Sequence, residues 1–265
     1  MQTIIGLTLA LLLSVNAPAG YPPPGQPTPT NPYPTIGDIP TPPGFHRVPA
    51  GSDEFVGFLR RLRLKKDRTV YLYNGLPKQN QDAQFAVLDL SIGHEDLQQC
   101  ADAVMRLRAE YLYAHHDLTD ITFYTEQGVR LNFKEWAEIH HDAGRTSFDR
   151  YLDKVFSWCS TRTLQKALNP KPFGRLTGGD VLIHAGSPGH AMLVIDVAED
   201  NQGHRIYLLA QGYMPAQDIH IVKDPTEPTL SPWYTADKAG SVLETPEYTF
   251  STNELRGWPS IKLKN

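Results

Sequence analysis

The sequence predicts an α+β domain, and three observations carry that reading. Helical periodicity dominates the middle of the chain, while apolar runs separated by Gly, Pro and Asn turns dominate its last third, the order expected when helices pack on an antiparallel sheet. With 265 residues, 40% of them hydrophobic, the chain is long enough to bury a sizeable core.

The elements follow in order. Residues 1–19 carry an apolar run from Ile4 to Val15 that ends in Ala17, Pro18 and Ala19, the pattern of a cleaved secretory signal and too short to span a bilayer. The mature chain is expected to be secreted or periplasmic, without a membrane span. Residues 20–49 (including YPPPGQPTPTNPYPTIGDIPTPPG) are rich in Pro, Thr and Gly and read as a disordered, extended linker, which leaves 50–265 as a single α+β domain. Ser52 is placed to cap a helix with Phe55, Phe58, Leu59 and Leu62 on one face. Strand-like runs cover 69–75 and 84–91. The strongest helix signal is EDLQQCADAVMRLRAEYLYAHH, where Leu97, Cys100, Ala101, Val104, Leu107, Tyr111 and Leu112 form one apolar stripe behind a candidate N-cap, Asp96. A strand is expected over 120–127 and helices over about 133–141 and 146–168, followed by the strands GDVLIHA, HAMLVIDVA, HRIYLLAQ, QDIHIVKD and EYTFS.

A net charge of −4 gives no electrostatic footprint for nucleic acid, and RRLRLKK at 60–66 is too brief to change that. Two doublets, AHHD at 114–117 and EIHHDAG at 138–144, offer His115 or His116 with His141 and Asp142 as ligands. Neighbouring helical residues point about 100° apart, so each doublet supplies one ligand, and no metal or other cofactor is expected.

Chemistry is better argued from Cys100. In the first turn of a helix a thiolate is favoured by free backbone N–H groups and the helix dipole. It needs a base, and His190 opens a strand just after the Gly-Ser-Pro-Gly turn. A hairpin turn centred on Asp200 to Gly203 sets His190 opposite about Tyr213 and Met192 opposite about Gln211. That puts Gln211 on the face of His190, one diagonal step away, able to orient the imidazole. Asp196 falls on the same face but about 20 Å along the strand, and a one-residue slip would turn Gln211 away. Cys100 keeps two other readings: a disulfide with Cys159, closing a loop of about 60 residues and contributing about 3 to 4 kcal/mol, or a buried structural thiol. His184, Tyr213, Trp233 and Tyr234 are candidate substrate-binding residues of a groove.

QQCADAVMRLRAEYLY, GGDVLIHA, GHAMLVIDVA and LLAQ together resemble the papain-like cell-wall peptidases and amidases of the NlpC and CHAP type. The resemblance implies a papain-like α+β fold with a long helix carrying Cys100 near its N-terminus. It implies a cysteine hydrolase, with Cys100, His190 and Gln211 as catalytic residues and a cell-wall or other extracytoplasmic polymer as partner. A non-catalytic binding or scaffold module of the same fold is the alternative. YLYNG, FAVLDLSIG, DLQQCADAVMRLRAEYLYA, LLAQGYMPAQDIHIVKD and SPWY resemble a family of secreted bacterial proteins known as a domain of unknown function.

Overall fold

The computed structural model describes residues 30–236 and 242–259. The expected signal at 1–19 and the start of the Pro-rich segment lie outside these residues. The strands are β1 (His46–Arg47), β2 (Gln84–Val87), β3 (Thr122–Tyr124), β4 (Arg130–Asn132), β5 (Asn169–Pro170), β6 (Val181–His184), β7 (His190–Glu199), β8 (Arg205–Gln211), β9 (His220–Val222), β10 (Tyr234–Thr235), β11 (Val242–Glu244), β12 (Thr249–Ser251) and β13 (Leu255–Gly257). The α-helices are α1 (Phe55–Arg60), α2 (Cys100–Ala114), α3 (Phe133–His140), α4 (Arg145–Trp158) and α5 (Thr161–Ala167). Nine strands form one antiparallel sheet in the order β2-β9-β8-β7-β6-β13-β5, with β1 added to β7 and β10 to β8. β3 with β4, and β11 with β12, make two separate hairpins.

Central strand β7 is buried from His190 to Ala198 because both faces of the sheet are covered. Ala191, Leu193 and Ile195 meet the helical layer, including Ala101, Val104 and Leu107 of α2. Met192, Val194 and Val197 pack on the other side with Leu182, Leu209 and, from the β11–β12 hairpin, Leu243 and Phe250. A strand covered on both faces reads as a continuous apolar run, as HAMLVIDVA does.

Several sequence expectations are corrected. The linker expected to run to residue 49 is packed on the body from residue 30 onward. Ile36 and Ile39 are in the core, the Asn31 amide donates to Lys65 O at 3.1 Å, and Arg47 reaches Ile39 O at 2.6 Å. A few large apolar residues among the prolines suffice, since each fully buried Ile contributes roughly 1.5–3 kcal/mol. Glu54, not Ser52, precedes the first turn of α1. The run 69–75 forms only single bridges at Tyr71 and Leu72, because the amides of Val70 and Tyr71 are taken by the side chains of Gln81 and Asp218. The helix expected over 146–168 is two helices: Cys159 is extended, and Ser160 caps α5 by accepting from Arg162 N and Thr163 N.

The hairpin of β7 and β8 carries the most consequential departure. Its turn is displaced by one residue, so Glu199 pairs with Arg205 and Asp196 with Leu208. A β-bulge at Ile195 then absorbs the slip, and beyond it Val194 pairs with Leu209 and Leu193 with Ala210. The register that matters for His190 and Gln211 is therefore the expected one, reached through two compensating shifts. Asp196 is turned away from His190's face and ion-pairs at 2.7 Å with both Arg47 and Arg60.

Candidate functional site

One glycine lets the chain bring α2 to the end of β8, and a second lets the start of β7 pass close to α5. A Cβ on Gly212, the residue after β8, would lie 2.9 Å from Gln99 O and 3.0 Å from Ala103 Cβ, so only glycine allows the strand end to approach the first turn of α2 this closely. A Cβ on Gly189, just before β7, would lie 2.7 Å from Thr161 Oγ1 and 2.8 Å from Gly186 O. The first residue of α2 is Cys100 itself, with Gln99 at the N-cap and its N–H donating to Asp102 at 3.0 Å. Asp96, expected as the cap, instead accepts from Ala216 N at 2.6 Å.

Around the Cys100 sulfur are backbone groups of Ala191, Ala101 and Cys100, all of which favour the thiolate. Burial outweighs them, and the nearby Asp102 carboxylate acts in the same direction, so the thiol is held above its ordinary range. Asp102 itself is pushed up to about 8 by burial. Both cysteines are free thiols, and burial raises Cys159 to about 12.

On the sheet, His190, Gln211 and His220 line up across β7, β8 and β9, with exposures of 2%, 1% and 0%. Their hydrogen bonds fix every tautomer. Asp218 O accepts from His220 Nδ1 at 2.9 Å, so His220 Nε2 is an acceptor and takes the Gln211 amide at 3.2 Å. The same amide nitrogen donates to Glu247 at 2.8 Å, and Lys78 donates to that carboxylate at 2.6 Å. The Gln211 oxygen must then face His190, where it accepts from Nε2 at 2.7 Å. Nδ1 of His190 is left as the basic nitrogen. The imidazole ring lies 4.8 Å from Tyr213 and 4.9 Å from Tyr248, centroid to centroid. Burial raises both tyrosines, with Glu247 acting in the same direction on Tyr213 and Glu254 on Tyr248.

Of the candidate residues, the structure puts His190, Gln211 and Tyr213 in contact, while Cys100 opens α2 with the Ala191 backbone beside its thiol. His184 pairs with His190 across β6 and β7, is half-exposed, and is held by Glu254. Trp233 and Tyr234 are corrected: both are 1% exposed, with the Trp233 indole donating to Pro40 O and the Tyr234 hydroxyl to Lys223 O, so they belong to the core and not to a groove. The histidine doublets end helices, His116 and His141 having φ of 56° and 51°. Among the described residues no group of three or more His, Cys, Asp or Glu is placed to hold a metal, and no helix is long and apolar enough to cross a membrane.

Sequence reasoning missed Lys78, Glu247 and His220. His220 shares the alternation of QDIHIVKD with Asp218 and Val222, a signal that becomes useful only once β9 is paired with β8. Lys78 and Glu247 are 169 residues apart and carry no local signal.

Burial lowers His190 to about 4 and His220 to about 3, so both are neutral in the folded protein while the unfolded chain protonates them below about 6.5. Their stabilising contribution is present above pH 6.5 and is lost as pH falls toward 4 and 3. Each contributes up to roughly 1.4 kcal/mol per pH unit in that window. Asp102, raised to about 8, acts with the opposite sign between 3.8 and 8. The expected result is that His220→Gln narrows its stability gap to the wild type as pH falls from 7 to 5, read from urea midpoints; a constant gap would contradict a neutral buried imidazole.

The fold and site define a mixed α/β protein with one large antiparallel sheet, a helix-terminal thiol and a buried imidazole–amide pair at one end of that sheet. Residues 37–257 match the model of the family described as "Domain of unknown function (4846)", and the chain belongs to that family. Neither the curated proteins nor the solved structures contain a match.

Proposed function

We propose that the protein is a papain-like cysteine hydrolase or acyltransferase, acting on an amide of a cell-wall peptide or other extracytoplasmic polymer. The observation that carries this reading is the 2.7 Å bond from His190 Nε2 to the Gln211 oxygen, with the next backbone group, Ala191, on the Cys100 thiol. In the reaction, Cys100 sulfur attacks the carbonyl carbon as its proton passes to His190 Nδ1. The Cys100 backbone N–H at the helix terminus stabilises the oxyanion. Collapse breaks the C–N bond, and the imidazolium returns its proton to the departing amine, leaving an acyl-thioester for water or a second amine. Because burial holds the thiol up and the imidazole down, proton transfer accompanies attack and does not precede it. The extracytoplasmic substrate rests on the signal-like residues 1–19.

The same neutral resting pair favours a second reading, a binding or scaffold module without chemistry. Incubation with cell-wall muropeptides separates the two. The enzyme reading expects a released amine and a mass adduct on Cys100 in the wild type, both lost in Cys100→Ala. Binding without adduct or cleavage, with both thiols titrating after unfolding in the absence of reductant, would establish the module. A Cys100–Cys159 bridge in the native protein would overturn the enzyme.

A further inference from the structure

The turn that joins β11 to β12 is fixed by its own threonine: Thr245 Oγ1 donates to Tyr248 O at 2.6 Å and accepts from Tyr248 N at 3.1 Å. That turn covers the imidazole, with the Tyr248 ring 4.9 Å and the Phe250 ring 5.9 Å from the ring of His190. It also carries Glu247, whose side chain is 12% exposed. Three donors converge on this carboxylate: Gln211 Nε2 at 2.8 Å and Lys78 Nζ at 2.6 Å on Oε2, and Asn80 Nδ2 at 3.1 Å on Oε1. Lys78 is itself buried, and burial lowers its ammonium against the opposing effect of Glu247. A buried ion pair adds little stability over apolar residues of similar volume. Its effect here is on orientation.

A carboxamide can present either its oxygen or its nitrogen to a neighbour. If the Gln211 amide turned over, His190 Nε2 would face an N–H and could only accept, which would move the ring proton to Nδ1 and remove the basic nitrogen of the proposed reaction. Two acceptors oppose that turn. His220 Nε2 is a neutral one at 3.2 Å, and it can become a donor by giving up the bond from Nδ1 to Asp218 O. Glu247, as a carboxylate, only accepts. It is also closer, at 2.8 Å, and a hydrogen bond to a charged group is roughly twice as strong as a neutral one.

We infer that Lys78 and Glu247 are positioning residues: Glu247 holds the Gln211 oxygen toward His190, Lys78 supplies the counter-charge that seats Glu247 there, and the ring proton of His190 therefore rests on Nε2. The consequence for rate rests on the cysteine-hydrolase reading. The consequence for the tautomer does not.

The test is Lys78→Met/Glu247→Leu in the full chain, which removes both charges together and strands neither, so a urea midpoint close to wild type is expected. The ring nitrogen NMR resonances of His190, assigned by their loss in His190→Asn, read the tautomer without substrate. In the wild type the unprotonated nitrogen is expected to be Nδ1. In the double variant the preference for the Nε2–H tautomer is expected to fall about tenfold, the equilibrium effect of losing one hydrogen bond to a charged group, and thioester formation at Cys100 on cell-wall muropeptides to slow by about the same factor. Glu247→Gln keeps an oxygen at the Oε2 position while the exposed Asn80 amide turns to meet the new N–H group, and is expected to retain the wild-type tautomer. A wild-type tautomer in the folded double variant overturns the inference and leaves His220 to orient the amide. Mixed tautomers in Glu247→Gln, where an acceptor is still in place, or an Nδ1–H tautomer in the wild type, overturn it as well. A wild type that forms no thioester sinks the hydrolase reading, and the tautomer then decides the placement by itself.

Discussion

Asp196→Ala is expected to destabilise the protein by about 3–5 kcal/mol, the range for removing one partner from a buried ion pair. Asp196 is fully buried and its two oxygens take Arg47 and Arg60 at 2.7 Å each, while Oδ1 also accepts from Val197 N at 2.8 Å. Through Arg47 Nη2, which donates to Ile36 O and Ile39 O, the same carboxylate fastens the Pro-rich segment to the sheet. Its loss leaves two partly buried guanidiniums without their carboxylate. Urea unfolding reads the cost, and limited proteolysis within 36–50 reads the release of the segment. A midpoint close to wild type would show that the arginines find other partners and that the segment is held by Ile36 and Ile39 alone.

Gln211→Leu is expected to cost about 2–5 kcal/mol, because leucine leaves the His190 Nε2–H, the His220 lone pair and one Glu247 contact unmet in the interior, at roughly 1–3 kcal/mol for each buried group left unpaired. The bond to Gln211 raises His190 against the effect of burial, so its loss lowers the imidazole further and weakens it as a base. If Cys100 and His190 act as proposed, thioester formation slows by roughly 10²- to 10⁴-fold, the usual contribution of a positioned base. Adding His220→Phe to Gln211→Leu recovers part of the stability by removing one stranded acceptor, and does not recover the rate. A rate that returns with stability would assign Gln211 a purely structural role.

Much of this site is legible along the chain. Cys100 at the start of an apolar-striped helix, His190 after the Gly-Ser-Pro-Gly turn and Gln211 at the end of the partner strand are each marked by local pattern. The helix begins at Cys100 itself because Asp102 accepts from Gln99 N, a capping pattern that competes with Asp96. Composition misled at 30–49, where an average over many prolines hid Ile36 and Ile39. It misled again at Trp233 and Tyr234, since an aromatic residue beside a turn looks alike whether it floors a groove or fills a core.

The pairing of His190 with Gln211 separates what each level decides. Alternation along β7 and β8 and the intervening turn residues determine from sequence alone that two apolar strands form a hairpin and that these polar residues lie near its open end. Which face each one occupies was decided by the tertiary structure. The turn shifts the pairing by one residue and the Ile195 bulge shifts it back, sending Asp196 to the arginines and leaving Gln211 on the imidazole. A period-two element cannot encode its own register, because a slip of one reverses every face at little local cost. The cost arises only where a buried carboxylate and a buried imidazole must each find a partner, and those partners, Arg47, Arg60, Glu247 and Lys78, come from distant parts of the chain.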